Sequence, residues 1–72
     1  MSDAMCIHVN GETRGWRQEQ TIADLLQELD LKPDRVAVEL NLEIVDRNDF
    51  STRHLQEGDR VEILSFIGGG RE

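Results

Sequence analysis

Cysteine is almost absent from this chain, since Cys6 is the only one among 72 residues. A single cysteine cannot form an internal disulfide, so packing alone has to stabilise the fold, and a reducing cytoplasm is the expected compartment. Apolar runs of membrane-spanning length are also absent. Residues 1–5 contain an acid and lack both a basic and an apolar stretch, so we expect no signal peptide.

Basic residues are few relative to acidic ones. Eight lysines and arginines stand against fifteen aspartates and glutamates, which gives a formal net charge of −7. This charge repels nucleic acid and anionic membrane surfaces, so we predict neither as a partner. Two interpretations remain open: the charge complements a basic protein partner, or it serves only to keep a small protein soluble.

Side chains that could carry catalysis or hold a metal form no recognisable set. Cys6, His8 and His54 lack the spacing of metal ligands. Nothing beside Cys6 in the sequence indicates an activated thiol, and lone cysteines usually behave as small inert residues. The acidic residues show no pairing that assigns general acid and base roles. We therefore predict no catalytic side chain, no metal and no cofactor.

The N-terminal third has the pattern of a β-hairpin. Residues 5–10 alternate between apolar and polar types, which is typical of a half-buried strand. Asn10-Gly11 then predicts a type I′ turn, because both central positions of that turn need positive φ. A second strand is expected from about Glu12 to Gln18, with Trp16 as its main apolar residue.

A change of period from two to 3.6 predicts one helix of about nine residues. Its apolar stripe consists of Ile22, Leu25, Leu26 and Leu29. Thr21 is the expected N-cap, and Asp24 is a short version of the capping-box partner. We expect the helix to end over residues 30–33, because Pro33 disfavours helical backbone at Lys32.

The second half of the chain is predicted to consist mainly of strands. Residues 36–40 are nearly continuous in apolar character, as in a strand inside a sheet, and residues 42–45 form a possible short strand. After a polar loop at 46–49, Phe50 is expected to return to the core. A turn at Glu57-Gly58-Asp59 precedes a strand over residues 60–66. The order of elements predicts an α+β domain with a sheet of four to five strands and one main helix on one face.

Three of the six glycines stand together at Gly68, Gly69 and Gly70. Glycine is the residue that loses most conformational freedom on ordering and has no side chain to pack, so this run contributes nothing to a core. We predict a folded domain over residues 1–67 and a flexible tail over 68–72. No helix, lysine or hydroxyl residue follows the run, so it is not a phosphate-binding loop.

Five segments together resemble the ThiS sulfur-carrier family and cover nearly the whole chain in register. They are residues 21–26, 36–41, 44–47, 57–63 and 66–70. The resemblance implies a ubiquitin-like β-grasp fold and a mixed sheet. It also implies that the chain carries sulfur as a C-terminal thiocarboxylate for the thiazole ring of thiamine. The implied partners are a ThiF-like E1 enzyme, which adenylates the terminal glycine, and a ThiG-like thiazole synthase, which takes the sulfur.

In this role the implied reactive group is the main-chain carboxylate of Gly70, so the protein is a cosubstrate rather than an enzyme. The tail must be thin to enter the buried active site of a partner enzyme. Residues 66–70 span roughly 16 Å when extended. Phe66 and Ile67, just before the glycines, are candidate contacts for a partner. Leu42 is a further candidate, although we favour the simpler expectation that it packs against the domain.

Arg71 and Glu72 depart from the family pattern, which usually ends at the glycines. While they remain, Gly70 has an amide in place of a free carboxylate. Either a peptidase trims the dipeptide, which we favour, or the chain is inactive as a carrier. Three other functions stay open: a MoaD-like carrier for molybdopterin, a ubiquitin-like protein modifier, and a β-grasp interaction module without chemistry. MoaD proteins commonly place prolines before the tail, whereas this chain has Ser65 and Phe66.

Overall fold

A five-stranded sheet with one α-helix packed on it accounts for most of the described chain, residues 5–17 and 19–66 of the computed structural model. The strands are β1 (Met5–Val9), β2 (Glu12–Trp16), β3 (Val36–Leu40), β4 (Glu43–Val45) and β5 (Arg60–Ser65), and the helix is α1 (Ile22–Glu28). The strand order is β2-β1-β5-β3-β4. Because β1 and β5 are parallel and the other pairs antiparallel, the sheet is mixed, as predicted.

The first hairpin has the predicted turn. Asn10 and Gly11 have φ values of 51° and 87°, both positive as a type I′ turn requires. Strand β2 ends at Trp16, which lies opposite Met5, and so is shorter than the predicted strand to Gln18. Gln18 lies outside the described residues.

The predicted capping box begins α1. The Asp24 N–H donates to the Thr21 hydroxyl oxygen at 3.3 Å, and the Thr21 N–H donates to the Asp24 carboxylate at 2.9 Å. Two backbone donors that the first turn would leave free are therefore satisfied. This short helix needs such a cap, because seven residues are too few to stand alone in water.

The end of α1 differs from the prediction. The helix stops at Glu28, and Asp30 takes the left-handed conformation with φ of 61°. Two bonds close the last turn, from Asp30 N–H to Gln27 O at 3.1 Å and from Leu31 N–H to Leu26 O at 2.9 Å. This is a Schellman motif with aspartate in the usual glycine position. The expectation that Pro33 ends the helix was wrong, since Pro33 instead begins a 3₁₀ turn, Pro33–Arg35.

The core lies between α1 and one face of the sheet. The helix contributes Ile22, Leu25 and Leu26, all fully buried. Alternate strand residues meet them from the sheet; they are Ile7, Val9, Trp16, Val36, Val38, Leu40, Val45, Val61 and Ile63. Phe50 and Leu55 complete the cluster from the connection between β4 and β5. The predicted return of Phe50 to the core is confirmed, and the opposite sheet face carries no helix in the described chain.

The turn between β3 and β4 places a large side chain in an unfavourable backbone conformation. Asn41 and Leu42 have φ values of 52° and 74°, and Leu42 is 82% exposed. The expectation that Leu42 packs against the domain was wrong, because a two-residue turn puts it at the tip of the hairpin. Left-handed backbone is a genuine outlier for a bulky residue.

We predict that Leu42→Gly stabilises the domain by about 1 kcal/mol, because glycine adopts positive φ without the clash that Cβ causes. The midpoint of urea unfolding measures the change. Leu42→Ala is the matched control, since it removes the exposed side chain and keeps Cβ. Equal gains for glycine and alanine would attribute the effect to the lost apolar surface and contradict the backbone explanation.

A salt bridge joins β2 to α1 at the surface. Arg14 Nη2 lies 2.9 Å from Glu28 Oε1, and the Gln20 amide donates to Glu28 Oε2 at 3.1 Å. The hydrogen bond from Arg14, followed by that from Gln20, holds the pKa of the Glu28 carboxyl below its ordinary value. A lowered pKa means that the stabilisation is present above the ordinary value and is lost as pH falls through the folded-state pKa.

Glu28→Gln should therefore lower the free energy of unfolding near neutral pH and have no such effect in acid. Both side chains are more than a third exposed, so we expect a difference of only about 0.5 kcal/mol near neutral pH. Urea unfolding of both proteins at neutral pH and near pH 3 measures it. A difference that persists in acid would show that lost packing, rather than lost charge, is responsible.

Candidate functional site

The strand that leads to the glycine run is the middle strand of the sheet. β5 pairs with β1 on one side and with β3 on the other. One residue beyond it, the Phe66 N–H donates to the Arg35 carbonyl at 2.8 Å. The predicted site residues Ile67, Gly68, Gly69 and Gly70, and the boundary between domain and tail, lie outside the described residues. The chain is thus anchored by backbone hydrogen bonding up to Phe66.

Two turn asparagines hold β5 from opposite sides. The Asn10 side chain accepts a bond from Ile63 N–H at 2.7 Å and donates to Ile63 O at 3.3 Å. The Asn41 side chain accepts a bond from Arg60 N–H at 3.0 Å, and the Asn41 backbone N–H donates to Arg60 O at 2.8 Å. Each carboxamide oxygen accepts a bond from a backbone N–H of β5, and asparagine tolerates left-handed backbone, so it serves both the turn and the strand.

The sheet face opposite α1, which we call the open face, exposes large apolar side chains near the root of the tail. Ile44, Leu64 and Phe66 are 68%, 61% and 60% exposed. Leu64 lies directly opposite Ala37 in the β3–β5 register. Ala37, Ile44 and Phe66 also line one shallow depression, next to residues 45–48. We call Ala37, Ile44, Leu64 and Phe66 the apolar patch.

The predicted partner contacts are not brought together. Phe66 belongs to the apolar patch, whereas Leu42 lies beside the start of β5, because neighbouring Asn41 bonds Arg60. Six residues of strand separate the two ends, which is roughly 20 Å. Sequence reasoning missed Ile44 and Leu64 as surface residues. The alternation along β5 already placed Leu64 on the face with Phe66, but Ile44 joins them only through strand pairing.

Two further kinds of feature concern the described residues, a metal-ligand cluster and a membrane-spanning helix. Among them, no group of three or more His, Cys, Asp or Glu side chains is placed to hold a metal ion. No helix within residues 5–17 and 19–66 is long and apolar enough to cross a membrane. What the open face provides is an exposed apolar surface next to an anchored strand end, which suits binding of another protein.

Comparison with known proteins places the chain in a family. The model of the ThiS family matches residues 7–70. This chain belongs to the ThiS family. Among its relatives, the sulfur carrier protein ThiS of Bacillus subtilis is 35% identical over 65 residues, which are 89% of this chain and 98% of that protein.

Similar segments also occur within much longer proteins. The thiazole synthase of Paramagnetospirillum magneticum is 41% identical over 68 residues, which are 94% of this ThiS-family chain. The thiazole synthase of Magnetococcus marinus is 42% identical over 67 residues. This chain spans only 21% of each of these two proteins, about a fifth of their length.

Solved structures confirm the fold expected of a ThiS-family protein. The crystal structure of the thiamine biosynthesis protein ThiS from Geobacter metallireducens has a TM-score of 0.77 and 35% identity, covering 92% of this chain and all of that one. A computationally designed protein based on human ubiquitin is 18% identical with a TM-score of 0.56, a likeness of fold alone. The predicted ubiquitin-like β-grasp fold is therefore confirmed.

We predict that Asn10→Gly lowers the free energy of unfolding by about 1 to 2 kcal/mol, because it keeps the positive φ and removes both side-chain bonds to Ile63. Asn10→Asp is the matched control, since it keeps an acceptor for the Ile63 N–H and loses only the donor. Urea unfolding gives the energies, and amide hydrogen exchange of Ile63 gives the local effect. Unchanged exchange of Ile63 in the glycine variant would refute the assigned role.

Proposed function

We propose that this protein is a sulfur carrier for synthesis of the thiazole ring of thiamine, and that its working terminus is Gly70. The observation that carries the proposal is the ThiS family match, which extends through Gly70. The structure supports it with a strand that is anchored by backbone hydrogen bonds and ends at Ser65, shortly before the glycine run. The family match also favours this role over the molybdopterin branch.

The chemistry needs only the main-chain carboxylate. Its oxygen attacks the α-phosphate of ATP, which forms an acyl adenylate and releases pyrophosphate. Sulfur at the sulfide level, delivered as hydrosulfide, then attacks the activated carbonyl and displaces AMP, and loss of the S–H proton leaves a thiocarboxylate. A bare carboxylate is a poor electrophile, so adenylation supplies the leaving group that sulfur transfer requires. The carrier is a cosubstrate in this scheme, and its partner provides the catalytic side chains.

The first proposed partner is a ThiF-like adenylating enzyme. Residues 66–70 span roughly 16 Å when extended, enough to reach a buried active site while the domain stays outside. An enzyme that receives this tail must meet the surface around its root. The apolar patch lies there, with Phe66 at its edge, and an exposed apolar surface of this kind is typical of protein interfaces. Phe66 and Ile67 remain our predicted contacts.

The second proposed partner is a ThiG-like thiazole synthase, which takes sulfur from the thiocarboxylate. Supporting this choice, a segment resembling this chain is part of the thiazole synthases of Paramagnetospirillum magneticum and Magnetococcus marinus. A carrier segment within the same polypeptide as the synthase would be presented to it at high effective concentration. We propose that the present chain meets the same class of enzyme.

In the printed sequence Gly70 is joined to Arg71 by an amide, so the proposal requires cleavage of that bond before adenylation. The support is chemical, since the amide has no free carboxylate oxygen to attack ATP. We propose a peptidase as the agent of cleavage. The cytoplasm remains the expected compartment, because ATP and thiol chemistry operate there.

Intact mass spectrometry tests the function. The full chain and a version ending at Gly70 are incubated with ATP, a sulfur donor and the adenylating enzyme of the same organism. The shortened version should exchange one oxygen for sulfur, and the full chain should do so only after loss of the last two residues. Failure of the version ending at Gly70 to form an adenylate would refute the carrier function.

Gly69→Val, in the version ending at Gly70, should reduce adenylation by about 100-fold, because a Cβ and its methyl groups restrict the tail where the reacting carbonyl must be positioned. Pyrophosphate exchange measures adenylation, and thermal unfolding should be unchanged. Gly15→Val is the matched control: a Cβ at Gly15 meets nothing within 4 Å, and Gly15 lies on β2, two strands from β5. A loss of thermal stability in Gly69→Val that matched the loss of adenylation would contradict a free tail.

A further inference from the structure

We propose that Glu39 and Glu62 on the open face bind a lysine or arginine of the adenylating partner. This cation is surrounded by apolar side chains of the partner, which cover the apolar patch. This inference rests on the proposed function for the identity of the partner. It adds a second recognition element, which is electrostatic, separate from the tail and located on the folded domain.

The two carboxylates are neighbours across the sheet. Glu39 of β3 and Glu62 of β5 lie directly opposite each other in the strand register, on the face away from α1. Like charges directly opposite each other on a sheet destabilise it. On the outer side Glu39 faces Ile44, so the neighbouring β4 position supplies no positive charge.

Neither carboxylate is paired within the described chain. The ion pair found among residues 5–17 and 19–66 is that of Arg14 with Glu28, which joins β2 to α1. The side-chain hydrogen bonds found there likewise leave out Glu39 and Glu62. The basic groups of this face, Arg60 and His8, lie opposite each other. Arg60 precedes Glu62 by two residues, about 7 Å along β5, but forms no ion pair with either carboxylate in the described chain. The repulsion between the two glutamates is therefore uncompensated by an ion pair within this part of the protein.

The acidic pair lies next to the surface that a tail-binding enzyme must cover. Leu64 and Phe66 follow Glu62 at two-residue steps, so the pair lies roughly 13 Å from Phe66. A partner seated on the apolar patch would exclude water from the carboxylates and strengthen their attraction for a cation. A guanidinium fits best, because its planar set of donors can bond two carboxylates at once.

Other occupants of this face fit less well. A second copy of the chain would bring a further formal charge of −7 against the acidic pair. Nucleic acid and anionic lipid are repelled for the same reason. A protein surface that combines apolar side chains with a cation complements both the apolar patch and the two carboxylates.

The test measures binding of the full chain to the purified adenylating enzyme of the same organism, by titration calorimetry at low and high salt. Glu39→Gln with Glu62→Gln should weaken binding about ten-fold at low salt, and by less at high salt, because salt screens the interaction. The matched control is Glu12→Gln with Glu19→Gln, which removes the same charge from exposed positions outside the strand pair β3–β5. This control should change the dissociation constant by less than about two-fold.

A second measurement separates recognition from folding. Because the double variant removes repulsion between facing carboxylates, its thermal midpoint should equal or exceed that of the unaltered chain. Weaker binding together with retained stability supports the inference. A fall in stability would show that the pair is satisfied within the chain and would overturn it.

The remaining outcomes are also distinct. An equal loss of binding in both double variants would assign the effect to net charge and overturn the inference, as would unchanged binding in Glu39→Gln with Glu62→Gln. Both results leave the proposed function standing, because the version ending at Gly70 can still be adenylated. If neither the unaltered chain nor the version ending at Gly70 binds the enzyme, the choice of partner fails, and the proposed function fails with it.

Discussion

The position of β5 between β1 and β3 is the constraint on which the sheet depends. Neither hairpin touches the other through a strand ladder, so β1–β2 and β3–β4 become one sheet only when the last strand enters between them. The Asn10 and Asn41 side chains hold that strand from both sides, at Ile63 and Arg60. As a result the glycine run continues from the most interior strand, and the position of its root is defined by the whole sheet.

The two faces of β5 carry separate tasks. Val61 and Ile63 point into the core under α1, while Glu62 and Leu64 point to the open face. Because successive residues of a strand point to opposite faces, packing of Val61 and Ile63 in the core also fixes the positions of Glu62 and Leu64 on the surface. Since a shift of one residue would exchange the two sets, the asparagine bonds that fix the register of β5 also preserve the surface offered to a partner.

Local patterns predicted the elements that local physics determines. Period two predicted β1 and β5, the helical stripe with Thr21 predicted α1, and Asn10-Gly11 predicted its turn. The helix end was missed because the bonds that Asp30 and Leu31 make to the last turn do not follow from a one-dimensional pattern. The alternation of side chains along a strand does not show which strands are neighbours. The apolar patch and the facing pair Glu39 and Glu62 are therefore visible only in the strand pairing of the structure. The ordered motifs did predict the fold and family, because together they cover nearly the whole chain.

The two hairpin turns offer an internal comparison. Both need left-handed backbone at two positions, and the first meets this need with Asn10-Gly11, where glycine has no Cβ to strain. The second has Asn41-Leu42, so it combines backbone strain with an 82% exposed apolar side chain. Neither feature contributes to folding, and backbone strain of this kind clusters at functional sites. Leu42 and Phe66 lie at opposite ends of β5, with Glu62 between them. A single partner reaching all three would have to cover the full length of that strand.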